Sequence, residues 1–249
     1  MDTNSSWQKG LPKAKIQNEI IHVWTCSLDL AKSLKEDLER TLSPDEMERA
    51  GRFYFERDQD RFIVSRGSLR QILGIYLQQE PALIKFEYSE FGKPLLKSDS
   101  NSSGICFNIS HSENLALIAI SEDVSLGVDI ERIRYDMDIN QVMARFFTKE
   151  EIRIIESLDS EKRNEKFFQL WTRKEAFLKA TGKGLSLPME LCDVSSVDDS
   201  GFSQVKVPVD LSDKNNWFVM DLGVGEGFAA AVGTDKAEMG VIIRNFSLD

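Results

Sequence analysis

The chain has 249 residues, 41% of them apolar and 29% charged, which excludes a low-complexity or fibrous polymer and predicts one large or two mid-sized globular domains. Acidic residues outnumber basic ones by 41 to 31, a formal net charge of −10, which argues against a general nucleic-acid binder because phosphate contacts need a basic surface. Three scattered cysteines (Cys26, Cys106, Cys192) and two histidines exclude a disulfide framework and a thiolate or histidine-rich metal centre, so a catalytic metal must sit mainly on carboxylates, as Mg²⁺ does.

From the N-terminus, residues 1–15 are polar and lack a signal-peptide core, so they read as a frayed tail on a cytoplasmic protein. No run approaches the roughly 20 apolar residues of a membrane helix. Glu19 to Ser27 reads as a strand, and Leu28 to Leu42 has helical spacing. Ser43-Pro44-Asp45-Glu46 is a helix-start signal, and a long helix is expected over 58–78. Phe91-Gly92-Lys93-Pro94 is a turn, and 99–104 a polar loop. Ile105 to Ser110 and Leu115 to Ser121 read as strands split by a compact turn, followed by a strand over 126–130. Helices are expected over 148–158 and 161–180, ended by Gly182-Lys183-Gly184. Runs at 217–222, 228–232 and 241–243 read as an antiparallel sheet. Strand, helices and strands thus occur twice, and Arg52-Phe53-Tyr54 and Arg145-Phe146-Phe147 suggest a duplication.

Chemistry concentrates in four places. In Leu126-Gly127-Val128-Asp129-Ile130-Glu131, strand alternation turns Asp129 and Glu131 to one face, about 7 Å apart. Two carboxylates so placed repel unless solvated or bridged by a hard cation; a wet strand face is the plainer alternative. In Trp171-Thr172-Arg173-Lys174-Glu175-Ala176-Phe177-Leu178-Lys179, Trp171, Glu175 and Lys179 share a helix face. Glu175 and Lys179 there form either an ordinary surface pair, or a third metal ligand or general base beside a phosphate-neutralising lysine. Asn108-Ile109-Ser110-His111-Ser112 is a polar cluster directly after a strand, suited to ligand contacts or to a hydrogen-bonded turn. Ser110 and His111, being adjacent, point apart, and no GxSxG motif supports a nucleophile. Arg49, Arg52, Arg61, Arg66, Arg70 and Lys93 form a basic set that can serve a phosphate or line a solvated helix face. The glycines near 182–184 match neither a phosphate loop nor a dinucleotide fingerprint.

Taken together and in this order, these segments resemble the 4′-phosphopantetheinyl transferases of the surfactin-synthetase-activating (Sfp) type. The matching stretches are Phe91-Gly92-Lys93-Pro94, Phe107-Asn108-Ile109-Ser110-His111-Ser112, Gly127-Val128-Asp129-Ile130-Glu131, Arg145-Phe146-Phe147, the Trp171–Lys179 run and Gly182-Lys183-Gly184-Leu185-Ser186-Leu187-Pro188. The resemblance spans roughly residues 20–232. It implies an α+β fold, a pseudo-twofold duplication of two similar halves in a monomer, with the active site at their interface. The expected division is a tail at 1–15, an N-terminal half at 16–123 and a C-terminal half at 124–249. It also implies the reaction: phosphopantetheine moves from coenzyme A to a serine of an apo acyl or peptidyl carrier protein, and adenosine 3′,5′-bisphosphate leaves. Mg²⁺, or Mn²⁺, is the implied metal. Asp129, Glu131 and Glu175 match the metal-binding acids, and Lys179 the lysine on the pyrophosphate. Ser110, His111 and Lys93 match positions near the nucleotide phosphate; Arg61 matches a base for the 3′-phosphate, and Arg49 a neighbouring one. Arg66 is a further basic candidate from the residues themselves. The segment around Glu46 departs from the pattern by lacking a lysine seen in some members. Either Glu175 or Glu131 is the expected proton acceptor. A non-catalytic coenzyme A or carrier-binding module and a metal-dependent phosphodiesterase are the competing readings.

Overall fold

A computed structural model describes residues 16–17, 19–97, 104–196, 201–211 and 216–248. The expected tail at 1–15 and most of the expected loop at 99–104 lie outside them. The chain runs β1 (Ile20–Ser27), α1 (Lys32–Glu39), α2 (Pro44–Ala50), α3 (Glu56–Leu77), β2 (Phe86–Tyr88), β3 (Pro94–Leu96), β4 (Ile105–Ser112), β5 (Leu115–Glu122) and β6 (Leu126–Arg132). It continues through α4 (Asn140–Phe146), α5 (Lys149–Glu156), α6 (Ser160–Thr181), β7 (Ser203–Gln204), β8 (Phe218–Asp221), β9 (Phe228–Thr234) and β10 (Gly240–Phe246). The expected first helix is shorter than its apolar spacing, α1 covering only Lys32–Glu39. No described helix is long and apolar enough to cross a membrane.

Two four-stranded sheets, ordered β10-β1-β5-β4 and β6-β9-β8-β7, stack between α3 and α6. Strand alternation builds the layers. Trp24 and Cys26 of β1 and Ile118 and Ile120 of β5 face α3 with Leu69, Ile72 and Leu73. Their neighbours Ile21, Val23, Leu117 and Ala119 face the other way, onto Val128, Ile130, Ala230 and Val232 of the second sheet. Phe167, Phe168, Leu170 and Phe177 of α6 close the far side. The fold is therefore α+β in the order helix, sheet, sheet, helix.

The duplication is explicit in the backbone. β1-β5-β4 and β6-β9-β8 repeat one strand order, and α3 and α6 have 22 residues each. A buried ion pair repeats as well. Ser43 and Thr148 each open a short helix with a capping box, closed by Glu46 and Glu151. Both glutamates are buried, at 1% and 0% exposure. Glu46 Oε2 meets Arg70 Nε of α3 at 2.6 Å, and Arg70 Nη1 donates to the Pro81 and Ile84 carbonyls. Glu151 Oε2 meets Lys174 Nζ of α6 at 2.8 Å, and Lys174 donates to the Met189 and Cys192 carbonyls. In each half one basic side chain fastens a short helix, a long helix and the 3-10 turn after it. This fixes the register of the repeat: Arg145-Phe146-Phe147 precedes α5 as Arg40-Thr41-Leu42 precedes α2. Arg52-Phe53-Tyr54 lies after α2, so the triplet match in the sequence is not the structural equivalence.

A second difference concerns the C-terminal strands. β6, β9, β8 and β7 are antiparallel as expected, but β10 leaves them and pairs in parallel with β1, Ile20 opposite Gly240. The division at 123/124 separates the two sheets except for this strand.

Two outcomes follow for stability. Lys174→Met strands Glu151 as a buried, uncompensated charge, so urea unfolding should show a loss of about 3–5 kcal/mol; an unchanged midpoint would refute the role of the pair. His22 is buried, its Nδ1 2.7 Å from the Tyr76 hydroxyl. Burial, then the nearby Arg244 charge, lowers its pKa. The unfolded chain therefore takes up a proton more readily, and stability falls as pH drops below about 6.5. Urea midpoints from about pH 7.5 to about pH 5.5 should fall, and His22→Gln should flatten that dependence.

Candidate active site

The site starts from a close approach of helix and sheet. Gly127 of β6 and Gly233 of β9 are cross-strand partners beneath α6. A β-carbon at Gly127 would lie 2.1 Å from the Ala176 carbonyl oxygen and 2.4 Å from the Ala180 nitrogen. One at Gly233 would lie 2.8 Å from the same oxygen. Two glycines facing Ala176 and Ala180 let the helix backbone rest directly on the strands. The long side chains of the preceding positions, Glu175 and Lys179, are thereby brought beside the acids that follow Gly127 on β6.

Asp129 is 4% exposed. Its Oδ1 accepts from Lys179 Nζ at 2.6 Å and from Ser110 Oγ at 2.9 Å. Lys179 also donates to Ser110 Oγ at 3.0 Å and to the Val128 carbonyl at 3.2 Å. Asp129 Oδ2 is buried without a partner. Glu131 and Glu175 are half-buried neighbours. Burial raises the pKa of both carboxyls, and the Asp129 charge raises them further.

The polar segment of β4 is strand, not turn. Ser110, His111 and Ser112 lie inside Ile105–Ser112, and the reversal is a tight one at Glu113-Asn114, with Glu113 at φ 51°. Alternation then sends Asn108, Ser110 and Ser112 to one face. All three reach β6. Asn108 Oδ1 accepts from the Val128 N–H at 2.8 Å. Ser112 Oγ donates to Glu131 Oε2 at 2.9 Å and accepts from the Arg132 N–H at 3.0 Å. Lys93, from the turn before β3, donates to the Leu126 carbonyl at 2.8 Å and to the Lys179 carbonyl at 2.7 Å. Burial, with the Lys179 charge adding to it, pushes its pKa down to about 8. The facing edges of the two sheets are thus joined by side chains rather than by a strand ladder. Asn108 and Ser112 belong to the polar cluster singled out in the sequence but had no role of their own there; their period-two spacing with Ser110 was the available signal.

The other expected positions scatter. His111 is exposed and points to the opposite face from Ser110. Arg61 pairs with Asp29 and Glu113 at the β4–β5 turn. Arg66 is buried, its Nε 3.7 Å from Glu46 Oε1 and its Nη2 3.5 Å from the Tyr88 hydroxyl. Arg49 is exposed with its guanidinium 5.5 Å from the Phe62 ring centre. Arg49 and Arg66 therefore belong to the α2–α3 packing, not to the acidic cluster. A cleft of about 260 Å³ opens beside that cluster, lined by Phe91, Lys93, Asn108, Glu175, Lys179 and Gly184 among others.

Among the described residues no three acids, histidines or cysteines are pre-arranged as a metal cage. The donor set still fits a hard cation: a buried carboxylate oxygen without a partner, beside two carboxyls whose ionisation is disfavoured by burial and then by the Asp129 charge.

Residues 125–232 match the 4′-phosphopantetheinyl transferase superfamily, and residues 32–123 match the N-terminal region of 4′-phosphopantetheinyl transferase. The chain is 42% identical over 181 residues to the 4′-phosphopantetheinyl transferase HetI of Nostoc sp., covering 73% of this chain and 76% of that one. It is 32% identical over 192 residues to 4′-phosphopantetheinyl transferase ffp of Bacillus subtilis, covering 77% and 81%. It is 29% identical over 192 residues to 4′-phosphopantetheinyl transferase Sfp of Bacillus subtilis, again covering 77% and 81%.

The glycine pair makes a direct test. In Gly127→Ala the new methyl meets backbone that cannot swing aside, so α6 must lift. A loss of about 1–3 kcal/mol or more is expected by urea unfolding, and a variant as stable as the parent would show that the helix does not depend on this contact.

Proposed function

The chain belongs to the 4′-phosphopantetheinyl transferase superfamily, and we propose the following account of how its residues serve that activity. It transfers the phosphopantetheine arm of coenzyme A to a carrier protein. The acceptor is a serine hydroxyl of an apo acyl or peptidyl carrier. Its oxygen bonds to the phosphorus bearing the pantetheine, the bond from that phosphorus to the bridging oxygen breaks, and adenosine 3′,5′-bisphosphate departs. The observation that carries this reading is the juncture of β4, β6 and α6, where Asp129, Glu131 and Glu175 meet Ser110, Lys93 and Lys179.

Phosphoryl transfer needs charge neutralisation and alignment more than a protein nucleophile. Lys179 and Lys93 line the cleft and supply positive charge to the phosphates. Asp129, Glu131 and Glu175 would hold Mg²⁺, or Mn²⁺, which when bound supplies Lewis-acid neutralisation of the pyrophosphate. Glu131 or Glu175 accepts the proton of the carrier serine, directly or through water. Ser112, donating to Glu131 Oε2, orients that carboxylate. Ser110 bridges Asp129 and Lys179 and needs no nucleophilic role. His111 and Arg61, at the β4–β5 end, serve the nucleotide end of the coenzyme, with Arg49 and Arg66 as further basic positions. We read the protein as a cytoplasmic monomer with no nucleic-acid or membrane partner.

Purified protein incubated with coenzyme A, Mg²⁺ and an apo carrier should add one phosphopantetheinyl mass to the carrier. No increase on any of several acyl and peptidyl carriers would overturn the reading. A control without carrier separates it from a phosphodiesterase, which would cleave coenzyme A with water. Asp129→Ala and Glu175→Ala should each lower kcat/KM by at least about 10²–10³-fold, with an unchanged circular dichroism spectrum.

A further inference from the structure

The Lys179 ammonium has three N–H donors, and all three are engaged: on Asp129 Oδ1, on Ser110 Oγ and on the Val128 carbonyl. In this arrangement the lysine has no donor left for a phosphate. The reason for the arrangement lies in Asp129. A carboxylate 4% exposed is strongly disfavoured unless a cation compensates it. Lys179 is the cation present, and no other basic side chain pairs with Asp129 among the described residues. The pair is lopsided in exposure. Asp129 is shut in, whereas the Lys179 side chain is 28% exposed and borders the cleft. Its four-carbon stem can carry the ammonium outward, while Asp129 cannot follow. If it leaves, Asp129 offers Oδ2, which has no partner even now, and Oδ1, which keeps only the Ser110 hydroxyl.

We propose that Lys179 is the resident counter-ion of Asp129 in the ligand-free protein and exchanges with a divalent cation, so that its charge reaches a phosphate only once that cation has taken its place. The inference rests on the transferase reading and deepens it. Two consequences follow. A divalent cation alone binds weakly, because it must evict an ammonium held by three hydrogen bonds. Coenzyme A, by drawing Lys179 away from Asp129, strengthens cation binding, and by linkage the cation strengthens coenzyme A binding by the same factor.

The test is calorimetric titration of the full chain with Mn²⁺ in the absence of coenzyme A. Lys179→Met removes the competitor while keeping the stem, and should bind Mn²⁺ on the order of tenfold more tightly than the parent. Equal or weaker affinity, or no binding by either protein, overturns the proposal. Should the variant fail to fold, the parent protein decides. With ¹⁵N-labelled lysine side chains, adding Mg²⁺ alone should shift or abolish one slowly exchanging ammonium resonance; an unchanged spectrum at saturating Mg²⁺ overturns the exchange. Neither measurement depends on turnover. A chain that pantetheinylates a carrier but fails both tests loses only this inference.

Discussion

The contact on which the site depends is the seat of α6 on two glycines. Most helices ride above a sheet on the side chains that lie between them. Here Gly127 and Gly233 leave nothing between, and the Ala176 carbonyl occupies the space of the missing β-carbons. The approach sets how deep Glu175 and Lys179 sit, and the neighbouring turns set the helix rotation. Arg173 holds Asp221 of β8, and Lys174 holds Glu151 and two carbonyls beyond the helix. Anchors on one side and glycines on the other leave Glu175 and Lys179 one place to go.

The duplication shows what was retained as scaffold and what became chemistry. Both halves keep the buried glutamate and its base on the long helix. One and five residues after that base stand Gln71 and Ile75 in α3 but Glu175 and Lys179 in α6. The first half contributes β4 instead, whose alternate polar side chains supply the edge of β6. The cleft is thus built from two copies of one architecture used differently, one presenting charge and the other holding it in register.

Much of this was legible in the sequence, for identifiable reasons. Ser43-Pro44 and Thr148…Glu151 carried their cap chemistry on their face, and Gly182 marked the end of α6 with the positive φ that glycine tolerates (68°). The alternation of Val128 and Ile130 with Asp129 and Glu131 survived folding intact, with the apolar pair in the core between the sheets. Asn108 to Ser112 misled because polar residues at the end of a strand look like a turn when their partner is another strand's backbone. The burial of Arg66 was not legible, because a lone arginine on a helix reads as exposed; only the tertiary packing of Glu46, Phe62 and Phe86 around it makes it interior. The pairing of β10 with β1 joins residues far apart in sequence, which no local pattern encodes.

That last pairing bears on how the protein comes into being. Ile20 meets Gly240, so β1 waits for β10, a strand some two hundred residues later in the chain. While the chain emerges from the ribosome, β1 can pair with β5, but its other edge stays bare until β10 has been synthesised. An unpaired edge is an invitation to other nascent strands, and contacts this distant are slow to form. β10 acts as a closing seam: it covers the exposed edge and makes completion of the N-terminal sheet conditional on synthesis of the segment that carries Asp129, Glu131 and Glu175.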